Sequence, residues 1–79
     1  MEQIQILRDF QKDSEWFHEN IDKLRGEGLV GKFVAIKGCK PIASGKTMEE
    51  VISKTEKIGE NPSFIFMEFV YPEGTVILL

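Results

Sequence analysis

The sequence predicts an α+β fold in which a four-stranded antiparallel sheet carries two helices. Three observations indicate it. Two short apolar runs flank a Gly-Cys dipeptide within residues 32–44, which is typical of a β-hairpin. Residues 47–58 combine a helix-capping pattern with apolar residues at helical spacing. Residues 63–70 are apolar on both faces of a strand, which is typical of a strand inside a sheet.

Length and composition indicate a single domain over residues 1–79. The chain is 42% hydrophobic and 29% charged with a net charge of −3, the balance of an ordinary soluble globular protein. One core of this size barely offsets chain entropy, so dimerisation is expected. The lone cysteine excludes an internal disulfide and is typical of a reducing compartment. Without a long apolar run or a signal-peptide pattern, we expect a cytoplasmic protein and no membrane contact.

The first third of the chain is predicted to be helical. Residues 1–12 are expected to form a short helical arm, because their apolar residues recur three apart. Asp13 or Ser14 is expected to cap the N-terminal helix proper, which runs to about Arg25 and ends at Gly26. The apolar stripes are Ile4, Leu7 and Phe10 in the arm, then Phe17, Ile21 and Leu24 in the helix.

The hairpin is predicted to place strands at residues 32–37 and 40–44, joined by Gly38-Cys39. Glycine suits the first central position of such a turn, where a positive φ is required. Pro41 has no backbone N–H, so we expect the second strand at a sheet edge. Thr47 and Glu50 match a capping box for the helix at 48–58.

The last two strands are predicted at residues 63–70 and 75–79. The helix between strands two and three is expected to be a right-handed crossover, which makes those two strands parallel. The first strand then lies between them, and the expected sheet order is 2-1-3-4, antiparallel between neighbours. We expect the crossover helix on the sheet face that carries Val34 and Ile36.

Several segments together resemble a family of small, mainly archaeal domains of unknown function. The family pattern is a helix with a tryptophan, a Gly-Lys-aromatic-Val-Ala-Ile hairpin, a helix and a strand, and it resembles residues 9–79 in order. The resemblance implies an α+β fold and no assigned activity; relatives beside aspartic-protease-like domains imply an accessory role. The segments are Asp13-Ser14-Glu15-Trp16, Asn20, Gly31-Lys32-Phe33-Val34-Ala35-Ile36, Ala43-Ser44-Gly45-Lys46 and Phe69-Val70-Tyr71-Pro72.

The Ser-Gly-Lys-Thr run at residues 44–47 is similar to the end of a phosphate-binding loop. That loop needs a glycine at position 40, where this chain has lysine, and Pro41 removes a backbone N–H. We therefore do not expect nucleotide hydrolysis. One alternative stays open, namely an anion or small ligand held at the helix N-terminus by Thr47 and Lys46.

Two further patterns suggest chemistry but favour ordinary surface roles. Glu15 and His18 have the Glu-x-x-His spacing of carboxylate metal sites, with Asp22 one turn on, yet they lie opposite the apolar stripe. Cys39 is flanked by lysines, a setting in which thiols can be reactive, but no second cysteine or histidine accompanies it. We predict no catalytic residue, no metal and no cofactor, and therefore no enzyme.

The charge and aromatic pattern leaves two binding functions open. We favour a non-catalytic interaction module, homodimeric and acting with a protein partner, with candidate interface residues Phe33, Phe64, Phe66, Val76 and Leu78. The alternative is a small nucleic-acid-binding protein, in which lysines and aromatic residues on one sheet face contact single-stranded bases. Its candidate contacts, shared with the anion alternative, are Lys32, Lys37, Lys40 and Lys46.

Overall fold

A computed structural model describes the backbone of residues 2–74 and the side chains of residues 7–74. Within residues 2–74, three α-helices, a short 3-10 helix and three β-strands follow one another. Their order is α1 (Glu2–Glu19), α2 (Ile21–Gly26), β1 (Phe33–Ile36), β2 (Pro41–Gly45), α3 (Met48–Lys57), the 3-10 helix (Pro62–Phe64) and β3 (Phe66–Phe69).

Among the described residues the sheet has three strands in the order β2-β1-β3, and both neighbouring pairs are antiparallel. The prediction of a four-stranded sheet is therefore wrong, while the central place of β1 and the edge place of β2 are confirmed. The strand predicted at residues 75–79 lies outside the described residues. β3 is also shorter than predicted, because Asn61 and Pro62 start a 3-10 turn that uses the residues before Ile65.

α1 is one continuous helix where the sequence predicts an arm and a separate capped helix. Asp13 lies inside α1 and caps nothing there. The interruption comes later, at Asn20, whose backbone leaves the helical region with φ −112° and ψ 17°. Asn20 Nδ2 donates to the Trp16 carbonyl oxygen at 2.9 Å, the same oxygen that accepts the Asn20 N–H. A short second helix, α2, follows this change of backbone angles.

Helices cover both faces of the sheet. α1 and α2 pack on the face of Val34 and Ile36, in a core completed by Phe17, Leu24, Phe66 and Val70. α3 packs on the opposite face, where Val51 contacts a cluster with Ala35 and Ile65. The predicted placement of the crossover helix over Val34 and Ile36 is wrong. Alternation assigns residues to two faces but does not say which helix covers which face.

None of the helices within residues 2–74 is both long enough and apolar enough to cross a membrane.

Candidate functional site

The hairpin has two ends with different chemistry. We call residues 45–50 the cap end, where β2 passes into α3, and residues 37–40 the turn end, where β1 passes into β2. Both ends carry residues that the sequence singles out as candidate contacts. The four residues of β1 separate them by about 13 Å.

At the cap end, the polar groups are used by the protein itself. Thr47 Oγ1 accepts the Glu50 N–H at 3.1 Å, which confirms Thr47 as the N-cap. The Glu50 carboxylate accepts the Lys46 N–H at 2.7 Å, one residue before the usual position in a capping box. A carboxylate of the chain therefore lies at the helix N-terminus, where a bound anion would lie. This geometry does not favour the anion alternative.

Gly45 makes this arrangement possible. A Cβ atom at position 45 would lie 2.7 Å from the Glu50 Cβ and 2.8 Å from Glu50 Oε2, closer than real Cβ atoms approach other atoms. Gly45 is buried, so neither β2 nor α3 has room to move aside. The glycine that resembles part of a phosphate-binding loop thus serves close packing of strand against helix.

At the turn end, Gly38 and Cys39 form the predicted two-residue turn. The Lys37 N–H donates to the Lys40 carbonyl oxygen at 3.0 Å. Both central residues have positive φ, 61° at Gly38 and 58° at Cys39, which is typical of a type I′ hairpin turn. A left-handed conformation is unusual for cysteine, so something must hold this turn in place.

Asp13 holds the turn. Its Oδ1 accepts the Cys39 N–H at 2.8 Å, and only 6% of Asp13 is exposed. A carboxylate on the buried face of α1 therefore bonds a backbone group of the hairpin, 26 residues away in sequence. Sequence reasoning missed this role. The available signal was an acidic residue between Phe10 and Phe17 on the apolar side of the helix, since a buried carboxylate needs a partner.

A cleft of about 560 Å³ lies beside this contact, between α1, the turn end and the segment that leads into the 3-10 helix. Asp13 and Cys39 line one side, and Phe64 lines another. An ion pair borders the cleft, with Lys37 Nζ 2.6 Å from Glu60 Oε2. Cys39 is exposed here, as predicted.

The four candidate lysines do not form one patch. Lys32 and Lys46 lie near the cap end, because β1 pairs Phe33 with Gly45 there. Lys37 and Lys40 lie at the turn end, and Lys37 already pairs with Glu60. A nucleic-acid surface needs basic residues gathered along one face, and this arrangement does not favour one.

The candidate aromatic residues are also separated. Phe33 lies on the α3 side of the sheet, its ring centroid 5.0 Å from that of Phe69. Phe66 is buried on the other side, where its ring contacts those of Phe10 and Phe17. Phe64 is in the 3-10 helix and is 54% exposed. The structure thus leaves Phe64 available as a contact residue; Val76 and Leu78 lie outside the described residues.

The edge formed by β2 is closed by two devices. Pro41 offers no N–H, as the sequence predicts. Lys54 adds a second, because its Nζ donates to the Ser44 carbonyl oxygen at 2.7 Å. A carbonyl occupied in this way is a poor acceptor for an added strand.

The β3 edge is partly closed by its own acidic residue. The Val70 N–H donates to the Lys32 carbonyl oxygen at 2.9 Å, so Val70 faces β1 and the backbone of Phe69 faces outward. The Phe69 N–H is bonded by Glu68 Oε1 at 2.9 Å. Glu68 therefore satisfies an outward donor of this strand.

The Glu-x-x-His pattern in α1 has local partners. His18 Nδ1 donates to the Ser14 carbonyl oxygen at 2.8 Å, and Glu15 accepts from Gln11 at 3.4 Å. Asp22 forms an ion pair with Arg25 at 2.8 Å. Within the described part of the chain, no three His, Cys, Asp or Glu side chains are grouped to hold a metal ion.

Large apolar side chains, in contrast, are well represented on the surface. Leu7 is 69% exposed and Phe10 42% exposed, both in the N-terminal half of α1. A second group lies along α3 and at its C-terminal end, where Met48, Ile52 and Ile58 are between 36% and 55% exposed. With Phe64 and Val30, these are the exposed large hydrophobic residues of the described region.

Comparison with known protein families finds a match to a family of unknown function (DUF5678) over residues 30–68. The matched region contains the hairpin, α3 and most of β3, whereas α1 with Trp16 lies outside it. The resemblance to a family of unknown function is thereby confirmed in its coarse form; archaeal origin stays a prediction. Neither the curated proteins nor the solved structures include a match to this chain. Residues 30–68 are thus similar to a family of unknown function (DUF5678).

Proposed function

We propose that the protein is a non-catalytic interaction module that forms a homodimer and acts with a protein partner. The observation that carries this proposal is the exposure of large apolar side chains on α1, with Leu7 at 69% and Phe10 at 42%. A small domain buries only a limited apolar area, so apolar side chains left exposed are a loss of stability. Contiguous exposed apolar residues are typical of protein contact sites.

The use of the polar groups supports a binding role over a chemical one. Glu50 caps α3, Asp13 holds the hairpin turn and Lys37 pairs with Glu60. Groups bonded in this way stabilise the fold and are not arranged as acid, base or nucleophile around a common point. Glu50, Asp13 and Lys37 thus have structural partners instead.

The distribution of lysines supports a protein partner over a nucleic acid. Lys32 and Lys46 lie at one end of the hairpin and Lys37 and Lys40 at the other. Acidic residues lie among them, since Glu50 bonds Lys46 and Glu60 pairs with Lys37. Phosphate groups along a strand would meet these carboxylates as well as the lysines.

Two measurements test the proposal. Light scattering after size exclusion, at protein concentrations from about 1 to 100 μM, is expected to show a mass near twice the 9.0 kDa of one chain. A 9.0 kDa species throughout that range would overturn the homodimer. Labelled single-stranded RNA is expected to migrate unshifted, and a shift that weakens with added salt would instead support the nucleic-acid alternative.

A further inference from the structure

We infer that the homodimer forms through the N-terminal half of α1, packed antiparallel against the same helix of a second copy. The contact face consists of Leu7, Phe10 and Ser14, which we call the α1 stripe. These residues lie three and four apart, so they share one side of the helix. The inference rests on the homodimer proposed above and adds the surface and its geometry.

On this side of α1, the exposed fraction of the side chains rises toward the N-terminus. Phe17 is 2% exposed, Phe10 is 42% exposed and Leu7 is 69% exposed. Phe10 reaches the sheet by one edge-on contact, with its ring centroid 5.3 Å from that of Phe66, the first residue of β3. The helix continues from Phe10 back to Glu2, a further length of about 12 Å.

That extension needs packing to be stable as a helix. Short helices in water gain most of their stability from an apolar face buried against another element. Phe17 is packed in the core beneath the sheet, whereas most of the Leu7 side chain is not covered by any described residue. A second α1 would cover both Leu7 and the outer part of Phe10.

The charges beside the stripe favour a second copy in the antiparallel sense. Arg8 and Glu15 lie two helical turns apart on the same flank of the stripe, on either side of Gln11. A two-fold axis near Gln11 would bring Arg8 of each copy opposite Glu15 of the other. A parallel arrangement would instead place Arg8 beside Arg8 and Glu15 beside Glu15.

The first experiment compares two glutamate substitutions in the full chain. Leu7→Glu puts a charge into the proposed contact, and we expect the dimer dissociation constant to rise by roughly thirtyfold or more. Ile58→Glu is the matched control, because Ile58 is 55% exposed but lies at the end of α3. We expect it to change the constant by less than about twofold.

The outcomes separate this inference from the proposed function. A wild-type protein that is monomeric throughout overturns both. A wild-type dimer that Leu7→Glu leaves intact, or that Ile58→Glu dissociates instead, overturns the α1 contact while the homodimer stands. Leu7 is mostly exposed, so the variant is expected to stay folded and to lose at most the helical circular dichroism of the turns before Phe10.

The second experiment tests the contact without substituting any residue of the α1 stripe. Gln11→Cys in a Cys39→Ser background is expected to form a disulfide-linked dimer under mild oxidation, since both copies of residue 11 lie near the axis. Glu19→Cys in the same background is the control and is expected to remain mostly monomeric. Equal cross-linking of the two variants would overturn the geometry.

Charge reversal tests the orientation. Arg8→Glu is expected to weaken the dimer severalfold, because it places two carboxylates together. Adding Glu15→Arg to that variant is expected to restore the wild-type dissociation constant. If the double variant is as weak as the single one, or the single one is unchanged, the antiparallel arrangement is wrong.

Discussion

Each end of the hairpin is held by polar contacts, but the partners in those contacts lie at very different distances in sequence. At the cap end, Gly45, Thr47 and Glu50 bond and pack within six residues. At the turn end, the Cys39 N–H donates to the Asp13 carboxylate, and Asp13 lies in α1. The cap end therefore joins β2 to α3 locally, whereas the turn end joins the hairpin to α1. Through Asp13, α1 therefore contacts a turn that lies within residues 30–68.

The largest expected effect is at the cap end. Gly45→Ala would place a methyl group 2.7 Å from the Glu50 Cβ in a buried position. We expect the free energy of unfolding to fall by about 3 kcal/mol, because strand and helix must separate to relieve the overlap. Urea denaturation followed by circular dichroism measures this change.

Gly26→Ala is the matched control for that substitution. Gly26 ends α2, and a Cβ there would meet nothing within 4 Å. We expect a change of less than about 0.5 kcal/mol. Equal losses at both positions would mean that the close approach at Gly45 does not limit the cap end.

A somewhat smaller effect is expected at the turn end. Asp13→Ala removes the acceptor of the Cys39 N–H and should lower the free energy of unfolding by about 2 kcal/mol. Hydrogen exchange should locate the loss, with faster exchange at the Cys39 amide and little change at the Glu50 amide. If both amides respond alike, the two ends are not independent.

Asp22→Ala is the control for the turn end. The Asp22 side chain is 87% exposed in its pair with Arg25, so its removal should be nearly neutral. Asp13→Asn supplies a second comparison, because it keeps a carbonyl oxygen that can accept the same N–H. We expect its loss to lie between those of the two alanine variants.

The same contrast explains how much the sequence could predict. Thr47 and Glu50 lie three residues apart, so the helix cap follows from local rules. The Gly38-Cys39 turn and the edge place of Pro41 also follow from backbone chemistry alone. These features need no knowledge of the tertiary structure.

The features that the sequence could not predict depend on distant partners. Asp13 looks like a helix cap until Cys39 is known to lie beside it. Phe33 and Phe66 each fit a sheet face, but only the strand register shows that these are opposite faces. The interruption at Asn20 is a change of backbone angles with the bond from the Asn20 N–H to the Trp16 carbonyl oxygen retained, so the apolar periodicity does not reveal it. The predicted contact residues Phe33 and Phe66 therefore lie on different faces of the sheet.

The smallest expected effect tests how firmly Asp13 holds the turn. Cys39 has a φ of 58°, a conformation that glycine adopts without a Cβ penalty. Cys39→Gly removes that penalty but also loosens the unfolded chain, so we expect a net gain in the free energy of unfolding of only about 0.5 kcal/mol. Cys39→Val should lower the free energy of unfolding by more than about 1 kcal/mol, because a β-branched residue tolerates positive φ poorly.

Chemical denaturation of both variants in the wild-type and Asp13→Ala backgrounds makes the comparison. If the bond from Asp13 holds the left-handed turn, the two substitutions and Asp13→Ala should be non-additive. Additive effects would mean that the turn holds its shape without α1.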